Sequence, residues 1–527
     1  MSTQQLSKPA IEVPHRGLVT AAVMMSMIMV ILDMTIANVA LPHMQASLGA
    51  AQDTITWVLT SYIVAQAIAT PITGWLADNI GRKRLFAICV AGFVGSSALC
   101  GTALGLEEMV LFRVMQGAFG AALAPLSQSV ILDINPRERH GQAMAVWGMG
   151  IMIAPILGPI IGAYLTDNFN WRWVFYINVP VGLAALTGVI LFMPDSTRRI
   201  RKFDFLGFGL LSIAIGSLQL MLDRGAELDW FTSPEVVVEL GIAIAGAWMF
   251  AVHTATHHEP FLDRRLFLDR NFVSALAMIF IVGIILLATM ALLPPMLQNL
   301  FGYPIITVGL VLAPRGAGTM LSMMIVGRLI GKLDPRVLVG FGLSMTALSL
   351  YQMTAFSMEM TDWPLIVSGV IQGFGLGFVF IPLSTVAFQT LDPRLRTEAS
   401  SLFNLVRNIG SSIGISIMAA LLTSNMQINH ADLSNHISAF NPNLSTYGLD
   451  ATFMATPQGL QTAAQINGMI TQQALMIAYI DDFKAMFLIT LCALPLVLLL
   501  RYNKMALAGP RMGEKKDEEP AAMVMAD

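Results

Sequence analysis

The sequence predicts an all-α polytopic membrane protein with fourteen transmembrane helices, arranged as two six-helix halves plus two inserted helices. Three observations support this prediction: an apolar composition, a regular series of apolar segments, and a repeat between the two halves of the chain. The 527 residues are 55% hydrophobic and 12% charged, and the mean hydropathy is +0.68. Soluble domains average about 25% charged residues, so this composition indicates a chain that lies mostly in a bilayer.

The apolar segments define the predicted helices in order. A window of about 20 apolar residues crosses the roughly 30 Å of hydrocarbon in a bilayer. Because the first 16 residues are polar and the first apolar run is too long for the core of a signal peptide, we expect this run to remain as the first helix. Fourteen windows occur, and they begin near residues 17, 54, 84, 107, 141, 173, 205, 234, 272, 305, 336, 364, 401 and 483.

The distribution of Lys and Arg predicts the orientation of the chain. These residues are concentrated in every second connection, whereas the opposite connections are nearly free of them, and the longest, 425–482, has none. Connections rich in Lys and Arg mark the cytoplasmic side of a membrane protein. Both chain ends are therefore predicted to be cytoplasmic, which requires an even number of helices and supports fourteen.

A repeat places the fourth predicted helix in register with the twelfth. Gln116-Gly117 recurs as Gln372-Gly373, and the Pro-Leu-Ser at 125–127 recurs at 382–384. A shift of eight helices fits two six-helix halves with two helices inserted between them, and paired halves that rock around a central site are typical of secondary transporters. The predicted division is a cytoplasmic N-terminal tail (1–16), an N-terminal half (17–195), two inserted helices (196–255), a C-terminal half (256–504) that includes an exterior loop (425–482), and a disordered cytoplasmic tail (505–527).

Asp33 is the first functional candidate. It stands in the apolar run from 18 to 42, where an acid costs a membrane helix roughly 2.5–3.5 kcal/mol on insertion scales. Such a carboxylate usually faces a partner or a water-filled cavity and serves proton or ion movement. Because burial disfavours the charged form, we expect Asp33 to bind and release a proton during transport.

The fourth predicted helix carries a face of polar and small residues. Arg113, Gln116, Gly117 and Gly120 follow one another at helical spacing, and a guanidinium at this depth needs a carboxylate or carbonyl partner. We hypothesise that Arg113 faces Asp33 and takes part in proton coupling. The alternative is a purely structural arginine that reaches the nearby membrane interface.

Glycines and charges mark the junction between the second and third predicted helices, residues 74–84. Gly74 and Gly81 allow close backbone approach and a tight turn, and Asp78 can pair with Arg82 or lie against a helix N-terminus. These four residues are predicted to form a conformational latch that holds one state and breaks in the other. The alternative is a signal for membrane topology alone.

The fifth predicted helix has small residues at intervals of four, together with two prolines. Small residues at this spacing form a groove for close helix packing, and the prolines disfavour a straight, uniformly bonded helix. From these residues alone, the helix presents a packing face. The residues are Gly150, Ala154, Pro155, Gly158, Pro159 and Gly162.

Three further polar residues are candidates for a central cavity, as is Gln116. Asn38 follows Asp33 on the first helix, and Arg315 and Arg407 lie in apolar segments of the second half. Buried arginines are costly, but structural roles explain them as well as functional ones. His, Cys and Ser residues form no cluster with catalytic or metal spacing, so we expect neither an enzyme nor a metal site.

Several of these motifs together resemble one family. They are the Leu-Asp-Met-Thr run at 32–42, the junction at 74–84, Arg113 with Gln116-Gly117, the helix at 150–162, and the segment 171–180, WRWVFYINVP. Over essentially the whole chain the sequence resembles the major facilitator superfamily, in its fourteen-helix drug:proton antiporter branch of the EmrB and QacA type. The resemblance implies a major facilitator fold, roles for Asp33 and Arg113 in proton coupling, and a role for the fifth helix in antiport.

The resemblance also implies the function. Members of this branch export hydrophobic, often cationic, compounds in exchange for protons, so the proton motive force would drive transport without a cofactor. The long exterior loop resembles members that work with a periplasmic adaptor (membrane fusion protein) and an outer-membrane channel, which implies a bacterial inner membrane. Nucleic acid is not expected as a partner. Two alternatives remain open: a dedicated exporter of one metabolite, such as a siderophore or an amino acid, and a non-transporting membrane scaffold.

Overall fold

The computed structural model describes residues 11–51, 54–195, 198, 200, 202–436 and 456–500. The secondary structure of this part is helical, apart from one isolated bridge between Ile330 and Leu333. The predicted disordered tail, 505–527, lies outside the described residues.

The N-terminal half and the inserted pair contain eight of the helices that we number. The bounds are Arg16–Leu48 (α1), Trp57–Ala69 with Thr73–Ile80 (α2), Arg82–Thr102 (α3), Leu106–Gly120 with Leu123–Asp133 (α4), His140–Asn168 (α5), Trp173–Tyr176 with Asn178–Phe192 (α6), Phe205–Arg224 (α7) and Pro234–Thr256 (α8).

The C-terminal half contains six further helices. The bounds are Arg270–Asn299 (α9), Ile305–Leu329 (α10), Pro335–Met353 (α11), Asp362–Gln389 (α12), Arg396–Asn435 (α13) and Pro457–Ala493 (α14). A short helix, Arg265–Leu268, precedes α9, and a 3-10 turn, Leu494–Leu499, follows α14.

Prolines account for the three helices that are split into two segments. Pro71 lies in the break of α2, while Pro125 and Pro180 follow shortly after the breaks of α4 and α6. A proline lacks the backbone N–H of the helical hydrogen bond, and its ring clashes with the carbonyl group one turn earlier. Each break therefore lies within three residues of a proline, which weakens the helical hydrogen bonding there.

The helix count agrees with the fourteen helices predicted from the sequence. In the described part of the chain, twelve helical units are long and apolar enough to cross a membrane. The remaining two are α2, whose first segment is a shorter apolar helix, and α11, which has 19 residues. The predicted starts lie within a few residues of the observed ones, except those of α13 and α14.

The predicted exterior loop, 425–482, is largely helical. Helix α13 continues to Asn435 and α14 begins at Pro457, so only the segment between them lies outside the described helices. The 40 residues of α13 span about 60 Å at ~1.5 Å per residue, which is roughly twice the thickness of the hydrocarbon. Both helices therefore extend well beyond the membrane.

Local sequence explains why α14 begins so early. The side chain of Thr456 accepts a hydrogen bond from the Gly459 amide, and Pro457 occupies the first helical turn, an arrangement that favours helix initiation. The polar stretch after Pro457 is therefore continuous with the last membrane helix. Near the far ends, the His430 Nε2 lies 3.0 Å from the Asn467 Oδ1 and links the two extensions.

The halves meet along α5 and α10. Helix α5 packs against α1 of its own half and against α10 of the other half, so its small residues lie where two helices approach. The inserted α7 and α8 pack on each other, and α7 contacts α2 and α13. Helix α8 is mostly exposed on the outside of this pair, since only 17% of its apolar window is buried.

Asp204 ties the inserted pair to the segment that follows it. Its carboxylate caps α7 by accepting a hydrogen bond from the Gly207 amide, and it also contacts the His253 Nε2 at 2.9 Å and the Phe261 amide at 3.0 Å. Burial raises the pKa of Asp204, but these hydrogen bonds outweigh it and leave the pKa below its ordinary value. His257 also lies close to this pair, a proximity that the sequence analysis missed.

Candidate functional site

Asp33 lies at the centre of a buried polar network on the inner face of α1. Buried residues recur along α1 every three or four positions, and Asp33 falls on this face with no exposed surface. The Arg113 Nη1 donates to the Asp33 Oδ2 at 2.7 Å, and the Gln116 Nε2 donates to the Oδ1 at 2.9 Å. The predicted contact between Asp33 and Arg113 is therefore confirmed, and Gln116 belongs to the same network.

Arg113 joins three helices through its guanidinium. Besides Asp33 on α1, it donates from Nε to the Val58 carbonyl on α2 at 3.0 Å and from Nη1 to the Gln116 Oε1 at 2.8 Å. Its Cζ lies 4.2 Å from the centre of the Tyr62 ring, a distance that allows a cation–π interaction. The side chain is 1% exposed, so Arg113 does not extend to the membrane interface, as the structural alternative required.

Asn178 completes the network and was not singled out from the sequence as a site residue. Its Nδ2 donates to the Asp33 Oδ1 at 2.7 Å and to the Ser97 hydroxyl at 3.0 Å. It sits at the start of the second segment of α6, immediately after the break at Ile177. Asn178 belongs to the segment 171–180 that carries part of the family resemblance, but nothing in that segment indicated a contact with Asp33.

The network changes the expectation that burial alone decides whether Asp33 is neutral or charged. Burial favours the neutral acid, whereas an ion pair and hydrogen-bond donors favour the carboxylate. Here Asp33 faces one guanidinium and two amide donors, so this arrangement accommodates the charged form. Protonation of Asp33 would remove the attraction that links α1 to α4 and α6. The geometry can therefore couple a proton to the packing of these helices.

Helix α5 runs unbroken from His140 to Asn168, with both prolines inside it. Its small residues lie directly against α1. An added Cβ on Gly158 would overlap the Thr35 side chain, and one on Gly162 would lie 3.2 Å from Ile36. Ala154 is fully buried. These residues hold α5 close to the part of α1 that carries Asp33.

Replacing Gly158 with Ala is expected to impair both stability and transport. The new methyl group would lie 2.7 Å from the Thr35 Cβ, which α1 can relieve only by moving, and such overpacking typically costs about 1–3 kcal/mol. Gly150→Ala is the matched control, because its methyl group would meet only the terminal carbon of Met24, a flexible side chain. Thermal denaturation in detergent and export assays check the pair; equal behaviour of the two variants would contradict the prediction.

The predicted latch residues lie at the end of the bundle where α3 and α13 begin, which we call the arginine-rich end. Gly74 on α2 packs against the backbone of Glu398 on α13, where a Cβ would lie 3.0 Å from the Glu398 Cα. Gly81 joins α2 to α3 with a φ of 93°, a conformation that favours glycine. The Asp78 carboxylate lies close enough to Arg82 to attract its guanidinium electrostatically.

Asp133 connects the two halves at this end and was missed by the sequence analysis. Its carboxylate forms an ion pair with Arg82 of α3 and a second one, at 2.6 Å, with Arg396 of α13. Asp133 is 2% exposed. The only sequence signal was an acid at the end of an apolar helix that precedes a basic loop. The charged residues at 82 and 133 therefore belong to one bridge between the halves.

Polar side chains next to Asp133 add further contacts between α4 and α13. The Ser129 and Thr397 hydroxyls lie 3.0 Å apart. The Gln128 Oε1 accepts hydrogen bonds from Ser400 at 2.6 Å and from Asn404 at 3.1 Å. The halves are therefore closed against each other at the arginine-rich end.

The C-terminal half repeats the geometry of the Asp33 site without the acid. Gln372, the repeat partner of Gln116, donates to the Thr289 hydroxyl at 3.1 Å. Gln116 and Asp33 are 83 residues apart, and so are Gln372 and Thr289. Thr289 therefore occupies the position that Asp33 has in the N-terminal half.

The remaining candidates do not join the Asp33 network. Asn38 is exposed on α1. Arg315 is 7% exposed, and its nearest acceptor is the Leu286 carbonyl at 3.4 Å. Arg407 donates to the Asn408 Oδ1 at 3.3 Å. Within the described residues, neither arginine forms an ion pair with a carboxylate.

Comparison with known proteins agrees with the fold and the motifs. Residues 23–415 match the family model described as Major Facilitator Superfamily. The chain is 37% identical over 478 residues to the multidrug export protein EmrB of Escherichia coli (strain K12), which covers 89% of this chain and 91% of that protein. It is 35% identical over 486 residues to the fatty acid resistance protein FarB of Neisseria gonorrhoeae, covering 92% of this chain and 96% of that protein.

A solved structure supports the same fold. The proton:xylose symporter XylE superposes with a TM-score of 0.57 over 91% of this chain and 96% of that one, at 12% sequence identity. The resemblance predicted from the motifs is confirmed by the family match and by the relatives. With its helices, its repeat and these matches, the chain belongs to the Major Facilitator Superfamily.

Proposed function

We propose that this protein is a proton-driven multidrug exporter that exchanges hydrophobic compounds for protons. The observation that carries the proposal is the buried Asp33–Arg113 ion pair, in which the Arg113 Nη1 lies 2.7 Å from the Asp33 Oδ2. The pair lies inside a transporter fold and connects helices of one half. The similarity to EmrB, a multidrug export protein, supports drug-like substrates. A buried acid that can take up and release a proton is the group that proton exchange requires.

The proposed cycle links protonation of Asp33 to the opening of the two halves. When Asp33 takes up a proton, Arg113 loses its counter-ion, and the contacts that join α1 to α4 and α6 weaken. At the arginine-rich end, the bridge of Asp133 with Arg82 and Arg396 favours closure. Each charge that moves down a ~100 mV potential supplies about 2.3 kcal/mol, which can drive the change between the two states.

The membrane and partner assignments are part of the same proposal. A bacterial inner membrane with both chain ends in the cytoplasm places the arginine-rich end inside and the extensions of α13 and α14 outside. These extensions offer a helical surface to a periplasmic adaptor, which would hand the substrate to an outer-membrane channel. Co-purification with a candidate adaptor, with and without residues 425–435 and 457–475, tests this assignment.

One observation favours a substrate with a negative charge. Arg315 and Arg407 are cations in the C-terminal half whose nearest acceptors in the described structure are a carbonyl and an amide. A carboxylate on an amphiphilic substrate would neutralise a guanidinium and accept two hydrogen bonds from it. The relative FarB is named for fatty acid resistance. We propose amphiphilic acids as a second substrate class, beside lipophilic cations.

Proteoliposomes with a pH-sensitive dye inside test the proposal. We expect proton movement upon addition of substrates from a panel of lipophilic cations, neutral dyes and amphiphilic carboxylic acids. Mutual competition among unrelated compounds indicates multidrug export, whereas a response to one compound alone indicates a dedicated exporter. Arg315→Gln and Arg407→Gln should weaken the response to the acids more than the response to the cations. If no compound of the panel elicits proton movement, the proposed function is contradicted.

A further inference from the structure

A second acid, Asp482, lies buried in the C-terminal half. It is on α14 with no exposed surface, and neither carboxylate oxygen has a hydrogen-bond partner within the described residues. Asp33 has the same burial but three donors. The two acids therefore lie in opposite environments: one accommodates a charge and the other does not.

The surroundings of Asp482 are apolar. Its neighbours on the buried face of α14 are Tyr479, Phe483 and Met486, and they belong to a cluster with residues of α9 and α11. Among them are Leu293 and Leu350, which are buried. An unpaired carboxylate is very costly in such a place, whereas a neutral carboxylic acid costs far less.

The charged and titratable groups of the elements packed against Asp482 do not offer a counter-ion. On α14, Asp481 and Tyr479 lie close, and Lys484 is exposed. On α9 and α11, the cations stand at the arginine-rich starts of the helices, and Tyr351 is 60% exposed. These cations are Arg270 and Arg336.

On α13, the nearest cation is Arg407, which is half-buried. Because His430 pairs with Asn467 across the antiparallel α13 and α14, residue 415 lies level with Asp482. Arg407 is then about 12 Å farther along the axis at ~1.5 Å per residue. The other cation of α13 toward the arginine-rich end is Arg396, which is already paired with Asp133.

The repeat relates Asp482 to the Asp33 site. In the N-terminal half, Asn178 of α6 contacts Asp33. In the C-terminal half, α14 takes the place of α6, and the Met486 sulfur accepts from the Thr289 hydroxyl at 3.7 Å. Asp482 lies one helical turn from Met486. The C-terminal half thus lacks the acid on its first helix but has one on its last helix, next to the same core.

We propose that Asp482 is a second proton-binding carboxyl group, which is protonated in this conformation and exchanges its proton during the transport cycle. Each half then carries one proton site: Asp33, which is paired and charged while the arginine-rich end is closed, and Asp482, which is neutral in the same state. This proposal rests on the proposed function, since it adds a second proton to the exchange.

Infrared spectroscopy tests the protonation of Asp482 without any substrate. The carbonyl stretching band of a protonated carboxylic acid should appear in the spectrum of the wild type at neutral pH and disappear in Asp482→Asn, a variant that keeps the size and neutrality of the acid. Asp481→Asn is the matched control and should retain the band. A wild-type spectrum in which Asp482→Asn removes no such band would overturn the proposal.

The ratio of protons to substrate tests whether that proton is exchanged. In proteoliposomes, Asp482→Asn should still export substrate but with one proton fewer per molecule. The largest substrate gradient that the variant can maintain at ~100 mV should be about 50-fold smaller than that of the wild type. The reason is that each charge contributes about 2.3 kcal/mol and every ~1.4 kcal/mol is a factor of ten. An unchanged ratio would overturn the exchange. If the wild type moves no protons with any substrate, the proposed function fails, and the infrared result still decides the protonation state.

Discussion

Asp33→Asn is expected to abolish proton-coupled export while the protein still inserts into the membrane. An amide cannot take up or release a proton at physiological pH, and it cannot replace the negative charge that Arg113 faces at 2.7 Å. Removing one partner of a buried ion pair typically costs about 3–5 kcal/mol, because the other charge stays behind without compensation. We therefore expect substrate-driven proton flux to fall to the background of empty liposomes, together with a lower denaturation temperature.

A double variant separates the loss of coupling from the loss of stability. Asp33→Asn combined with Arg113→Gln removes both charges, and replacement of both partners of a buried pair is often nearly neutral for stability. The double variant should recover most of the denaturation temperature but none of the proton flux. Asp33→Glu, which keeps the charge, is the control for geometry. Intact substrate-driven proton flux in Asp33→Asn would refute the assignment.

Asp133→Ala is expected to open the arginine-rich end. This substitution leaves Arg82 and Arg396 facing each other without their shared carboxylate. Removing one partner of a buried ion pair typically costs about 3–5 kcal/mol, and about 1.4 kcal/mol is a factor of ten, so the closed state should become roughly 10²–10⁴-fold less favoured. A transporter that closes poorly at this end should also export poorly.

Thiol labelling measures this shift directly. Ser129 is fully buried against Thr397 at the same contact, so the Ser129→Cys variant reports on opening there. Cys492, the exposed native cysteine, is first replaced by Ser. When Asp133→Ala is combined with Ser129→Cys, the labelling rate of this cysteine should rise strongly. The control is Asp195→Ala, which removes an exposed acid of a neighbouring loop and should leave the rate unchanged. Equal rates for the two variants would show that Asp133 does not hold this end closed.

The helical architecture and part of the site could be predicted from the sequence. The apolar windows predicted the number of helices, because a segment that spans a bilayer must satisfy all its backbone hydrogen bonds internally, as a helix does. The cost of an isolated charge singled out Asp33 and Arg113 and predicted that each needs a partner. Both residues are buried and paired. Their proton-coupling roles remain predictions.

The sequence was less informative where apolar content does not set the structure. The segment 425–482 reads as a loop because it is polar, yet much of it is helical. Outside the membrane a helix needs no continuous apolar run, only capping and packing against a neighbour. Here the neighbour is the other extension, and a hydropathy window does not detect it.

The membrane class, the repeat and the costly acid in the first helix are evident from the sequence alone. The groups that surround this acid and the bridge of Asp133 between the halves became evident only from the packed helices. The same holds for Thr289 in the place of Asp33 and for Asp482 on α14, which has no hydrogen-bond partner within the described residues. The reason is physical. Hydropathy and helical spacing act along the chain, whereas the environment of a buried charge depends on side chains from helices that are tens to hundreds of residues away, and these meet only when the helices pack.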